Sequence, residues 1–152
     1  MKIVKITKSN VEAALELNEE LALFEKRFDK KSKVDDQMRR ESRKTFEKKM
    51  KERNSLGLLV EQDGEYVAFL TGWIMRKNVW RTNIGYLCNL YVRPAYRRKG
   101  LARLLVKEFE KWLKSRKVRY AELSVYPGND VAIKAWSVMG FKPCMLNMTK
   151  EI

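Results

Sequence analysis

No histidine occurs among the 152 residues, and that absence removes more chemistry than any other feature of the sequence. Ser-His-Asp and Cys-His catalysis, His-ligated metal sites and the side chain best matched to proton transfer near neutral pH are all excluded. Cysteine is scarce as well. Cys88 and Cys144 cannot build a four-thiolate zinc site, do not form a Cys-x-x-Cys pair, and read as buried thiols that pack as small hydrophobes. Without an imidazole, nothing is at hand to activate Cys88 as a nucleophile. Only 3 prolines and 7 glycines punctuate the chain, and it has no linker, repeat or low-complexity stretch. No apolar run approaches the roughly 18 residues that span a bilayer, and Met1–Asn10 lacks the apolar centre of a signal peptide. A cytoplasmic protein with no membrane partner is expected.

Acidic residues are the minority charge. Against 33 Lys/Arg stand 19 Asp/Glu, a net charge of +14, which implies a polyanionic ligand, partner or surface. Two blocks hold the excess: 13 basic against 6 acidic residues from Lys26 to Arg53, and 11 against 2 from Arg93 to Arg119. A basic helix can track a nucleic-acid backbone, so a nucleic-acid partner stays open at this point. A length of 152 residues suits a single domain over 1–152, and 45% hydrophobic with 11% aromatic residues is too apolar for a disordered chain.

The pattern along the chain predicts alternating elements. Lys2–Thr7 reads as a short strand, and Ser9-Asn10-Val11-Glu12 as a capping box opening a helix with Val11, Ala14, Leu15, Leu21 and Ala22 on one face. Val34–Arg53 reads as a second helix whose sparse apolar positions leave a wide charged surface, either solvated or flanking a substrate entrance. Leu56–Gln62 and Glu65–Arg76 are strands joined by Asp63-Gly64, a type I′ hairpin signal, and a third strand runs from about Arg81 to Val92. Leu101, Leu104, Leu105, Phe109, Trp112 and Leu113 recur at helical spacing. Ala121, Leu123 and Val125 alternate in a strand reaching Tyr126, Asn129 caps a helix that stops at Gly140, and Pro143–Ile152 reads as a closing strand. Strand, helix and strand between Tyr86 and Tyr126 imply a parallel pair inside a mixed sheet.

The stretch from Leu87 to Arg103 organises the rest. It begins as an apolar strand, breaks at Pro94 and re-enters a helix whose first turn carries Arg97, Arg98, Lys99 and Gly100, with Arg103 one turn on. A helix start leaves about four N–H groups without intrahelical partners and adds roughly half a positive charge, so a phosphate is a natural occupant. A plain basic loop before an ordinary helix reads the same way in sequence.

Arg97-x-x-Gly100-x-Ala102 after Leu90-x-Val92-x-Pro94, followed by Asn129-x-x-Ala132 and Gly140-Phe141, resembles the acyl-CoA-binding signature of the GNAT superfamily of N-acetyltransferases. The resemblance covers about Tyr86 to Phe141 and does not reach the first fifty residues. It implies an α/β fold with a mixed, mostly antiparallel central sheet, helices on both faces, and a parallel strand pair that splays at the cofactor site. It also implies acetyl-CoA as cofactor and no metal. The pyrophosphate would lie on the amides from Arg98 through Leu101 and Ala102 to Arg103, among the side chains of Arg97, Arg98, Lys99 and Arg103. The pantetheine arm would run between Leu90, Tyr91 and Val92 on one strand and Ser124–Tyr126 on the other, with Asn129, Ala132 and Trp136 beside it. Tyr86 stands where some members carry a catalytic Glu or Tyr, Ser124 stands on the partner strand where some related N-terminal acetyltransferases place His, and Tyr126 is the alternative proton relay. Trp136 occupies the position of the Tyr that often protonates the leaving thiolate, and indole does not ionise usefully. The implied reaction is direct acetyl transfer to a primary amine of a small molecule or a peptide N-terminus, the Arg-Arg-Lys-Gly-Leu-Ala form being similar to that of N-terminal protein acetyltransferases. The other reading is a basic module that binds CoA or nucleic acid without efficient catalysis. A monomer or a homodimer fits either.

Overall fold

Leu58, Val60, Ala68 and Leu70 face one side of the sheet while Leu59 and Phe69 face the other, the alternation expected of strands covered on both faces. The computed structural model describes Met1–Ile152. Its strands are β1 (Lys2–Lys5), β2 (Ser55–Gln62), β3 (Glu65–Lys77), β4 (Thr82–Val92) and β5 (Ala121–Glu122), in the spatial order β1-β2-β3-β4-β5. Every neighbouring pair is antiparallel except β4 and β5, which run parallel. Asp63 and Gly64 both have positive φ, +54° and +81°, as the β2–β3 hairpin requires.

Two cores lie on the two faces. Helix α3 (Leu101–Ser115) buries Leu105, Val106, Phe109 and Leu113 against one face, where Trp136 of α4 (Asp130–Val138) also packs. Helix α1 (Val11–Glu25) covers the other face with Val11, Ala14, Leu15 and Leu17, joined by Phe46 of α2 (Asp36–Met50). Leu17, at the edge of the face predicted from spacing, is fully buried, whereas Leu21 only borders the core. The charged surface of α2 is only partly solvated. Arg39 and Arg43 reach back to Glu12 and Glu19 of α1, at distances from 2.5 to 3.6 Å. Arg93, just past β4, grips Glu20 with Nε and Nη2 at 3.0 and 2.9 Å and so fixes α1 to the sheet.

Four expectations are corrected. The start of α1 has Asn10 at its cap with no side-chain capping bond, because the Asn10 carboxamide instead accepts from Thr7 N–H and donates to the Lys5 carbonyl. The strand expected through Tyr126 ends at Glu122, where its neighbour turns away. Residues 143–152 form no strand, since the sheet ends at the two residues of β5 and offers them no long edge. Both cysteines are exposed: Cys88 is the extra residue of a β-bulge and Cys144 lies beyond the last helix. No helix is long and apolar enough to cross a membrane.

Candidate functional site

The bulge sets the geometry of the site. β3 and β4 keep step up to Gly72 opposite Leu87 and resume with Thr71 opposite Asn89, which leaves Cys88 unpaired. A bulge bends and over-twists its strand. β4 pairs with β5 only at Gly85 with Ala121 and Tyr86 with Glu122, and past Tyr86 the two strands part. On the far side of that gap the backbone of Leu123, Ser124 and Val125 makes no hydrogen bond within the chain, so its donors and acceptors are free for an extended ligand.

The lower end of the gap meets the basic turn. Arg97–Gly100 precedes the first turn of α3 and does not form it: after a 3₁₀ turn at Pro94–Tyr96, the chain reaches the α3 N-cap at Gly100. Arg98 and Gly100 both adopt left-handed backbone, φ +64° and +81°. Left-handed residues alternating with an ordinary one, here Lys99 between them, turn amide N–H groups toward one concavity, an anion-binding arrangement that adds to the helix start behind it. Open space surrounds Gly100, so its conformation, not crowding, favours glycine there. Arg98, Lys99 and Arg103 are exposed around the turn. Arg97 is partly committed to the fold: its Nε donates to the Val92 carbonyl at 2.8 Å, and its guanidinium lies over the Phe24 and Tyr91 rings.

Leu90 is half-buried and Tyr91 and Val92 are buried, so these three offer the gap backbone more than side chain. Burial pushes the Tyr91 hydroxyl above its ordinary value, and Glu20 adds to that. Asn129 is one of two buried polar residues. Its Oδ1 accepts from Ala132 N–H at 3.2 Å and caps α4, while its Nδ2 has no partner in the chain. No buried side-chain polar atom lacks a partner, so this free amide nitrogen reaches the surface, where a ligand on that side can accept from it. Trp136 packs edge-on to Phe141 with ring centroids 5.4 Å apart.

At the mouth of the gap the Tyr86 and Ser124 hydroxyls meet at 3.2 Å. Tyr126 does not join them; its ring stacks on Phe28, in the segment after α1. From Tyr86 a row of groups leads outward: Trp73 lies 5.8 Å from its ring, and the Lys49 ammonium sits over Trp73. Trp73, Lys49, Cys88 and Asn89 border a cleft of about 620 Å³ between α2, the free end of β2 and the last turns of α3. Protein packed around the Cys88 thiol, with Glu25 adding to it and Lys49 opposing, pushes it up to about 11. At neutral pH it is a neutral thiol, unsuited to attack. Trp73, Lys49 and Glu25 escaped the sequence reading. For Glu25 a signal existed: no Lys or Arg stands three or four positions from it, so no helical neighbour neutralises it.

A model of the acetyltransferase (GNAT) family matches residues 17–141. Among curated protein sequences none matches the chain. Solved structures resemble it over their whole length. An aminoglycoside antibiotic 6'-N-acetyltransferase from Acinetobacter haemolyticus is 23% identical with a TM-score of 0.78, covering 100% of this chain and 99% of that one. The enzyme AAC(6')-Iy in complex with the bisubstrate analogue CoA-S-monomethyl-acetylneamine is 17% identical with a TM-score of 0.80, over 99% and 97%. A mutant protein from Bacillus halodurans is 16% identical with a TM-score of 0.85, over 100% and 99%. At such identities the likeness is one of fold.

Proposed function

Because the chain belongs to the acetyltransferase (GNAT) family, we propose that it moves an acetyl group from acetyl-CoA directly to a primary amine. The observation that carries this reading is the gap between β4 and β5, with unpartnered backbone at Leu123–Val125 on one side and the left-handed turn at Arg98–Gly100 below it. Acetyl-CoA, when bound, supplies the acyl thioester. The amides from Arg98 to Arg103, with the side chains of Arg98, Lys99 and Arg103, hold its pyrophosphate. Leu90–Val92 and Ser124–Tyr126 take the arm as a false strand, and the free Asn129 Nδ2 donates to it. An amide of Leu90–Val92 polarises the carbonyl as an oxyanion-type donor. Tyr86 and Ser124 pass the amine proton outward, since an amine that is mostly protonated at neutral pH must lose one before it attacks.

One observation favours the second reading, a basic module that binds CoA or nucleic acid without efficient catalysis. Trp136 can donate a hydrogen bond but cannot protonate a leaving thiolate, and its indole is packed against Phe141. Thermal melting and thiol release separate the readings. Acetyl-CoA at about a hundred times its Kd is expected to stabilise the fold by roughly 2.7 kcal/mol, and CoA thiol should appear when an amine is added. Stabilisation by oligonucleotides but not by acetyl-CoA would overturn the acetyltransferase reading.

A further inference from the structure

Helix α1 carries glutamates at 12, 16, 19, 20 and 25, and the first four pair with Arg39, Arg43 or Arg93. Glu25 is the exception. In a chain with 33 Lys/Arg it has no ion pair and no side-chain hydrogen bond, yet it is half-buried on the last turn of the helix. Burial raises its carboxyl above the ordinary value, which marks a charge kept from water without compensation. Its neighbours straddle the gap: the Phe24 ring lies under Arg97 on the β4 side, and Phe28 stacks on Tyr126 on the other. Glu25 itself is near enough to Cys88, at the bulge, to act on the thiol. An unpaired, half-buried carboxylate beside Cys88, which itself borders the outer cleft, is a receptor for an ammonium.

The outer cleft has the opposite sign. Lys49 and Lys111 are neutralised by Glu52 and Glu108, but Lys5, Arg53 and Arg116 line it with no carboxylate partner. A polycationic amine would place its remaining charges among those cations. We propose that the acceptor is a primary amine that also bears a carboxylate or phosphate, its ammonium received by Glu25 and its acidic group by Lys5, Arg53 and Arg116. The proposal rests on the acetyltransferase reading above. In the step itself the acceptor nitrogen forms a bond to the acetyl carbon as the carbon–sulphur bond breaks. The ammonium gives up two protons, one to sulphur and one to solvent.

The test uses the intact chain. Acetyl-CoA binding is measured by calorimetry, and thiol release is then followed with Glu-Ala-Ala, its fully amidated neutral analogue, free glutamate and kanamycin; the same four are titrated into the CoA complex, so that slow chemistry does not hide the ranking. The acidic acceptors are expected to exceed the neutral peptide in kcat/KM by about tenfold, with kanamycin poorest, and the tripeptide against free glutamate tells a peptide terminus from a free amino acid. Arg53→Glu and Arg116→Glu should erase the acidic preference, and Glu25→Gln should raise acceptor KM, all three with acetyl-CoA affinity unchanged. Normal acetyl-CoA binding with kanamycin the best acceptor, or an acceptor ranking that ignores both charge reversals, overturns this proposal alone. No acetyl-CoA binding removes the acetyltransferase reading and the proposal with it.

Discussion

The Tyr86 hydroxyl lies 3.2 Å from the Ser124 hydroxyl, a side-chain bond that spans β4 and the segment after β5 where their backbones have already parted. It places an exchangeable proton at the mouth of the gap. Tyr86→Phe keeps the ring against Trp73 and should leave acetyl-CoA affinity alone, while turnover falls in the 10²–10⁴-fold range typical of lost acid–base assistance. Wild-type turnover in the variant would reduce Tyr86 to cleft lining.

Gly100 holds φ +81° at the start of α3. Gly100→Glu forces a side chain into left-handed backbone and sets a negative charge where phosphate is to bind. Calorimetry should show acetyl-CoA binding abolished while circular dichroism stays that of the wild type. Unchanged affinity would remove the turn from the donor site.

Asn129 caps α4 with Oδ1 and leaves Nδ2 free. Asn129→Asp preserves the cap, because Asp caps equally well, and removes the donor. Acetyl-CoA affinity should weaken by about 1–3 kcal/mol with the melting temperature nearly unchanged. Equal affinity would leave Asn129 a structural residue only.

A Cβ at Gly72 would come within 2.6 Å of the Phe109 ring and 2.7 Å of the Tyr86 carbonyl. The ring can shift a little, but the β4 backbone beside the bulge cannot shift without disturbing Tyr86. Gly72→Ala should therefore cost about 1–3 kcal/mol in denaturant unfolding and lower turnover as well. A variant as stable as wild type would mean that α3 is packed more loosely on the sheet than these distances require.

Cys88 is exposed, yet its thiol is pushed up to about 11, first by the protein around it and then by Glu25. The shift is upward, so the neutral thiol is the favoured folded form. The group's stabilising contribution is complete below the ordinary value of 9.0 and is lost as pH rises toward 11. Alkylation by iodoacetamide at pH 8, read by mass spectrometry, should run roughly ten- to a hundredfold slower than for a free thiol. Glu25→Gln should speed it, since removing the nearby charge favours the thiolate. An unchanged rate in that variant would separate the two side chains.

The local features of this protein were written in its sequence. The Asp63-Gly64 hairpin, the apolar face of α3, the Asn129 cap and the basic turn with Gly100 each depend on a few neighbouring residues whose backbone preferences and spacing act before any tertiary contact forms. Non-local pairing decided the rest. The alternation from Ala121 to Tyr126 fits a strand, but whether its backbone pairs depends on β4, and the bulge at Cys88 turns β4 away after two residues. No local rule marks Cys88 as the residue to be left out of register, since that follows from how thirteen residues of β3 align with eleven of β4. Glu25 resembles the other glutamates of α1 until the helix packs on the sheet, which decides which acids meet an arginine and which is left without one near Cys88.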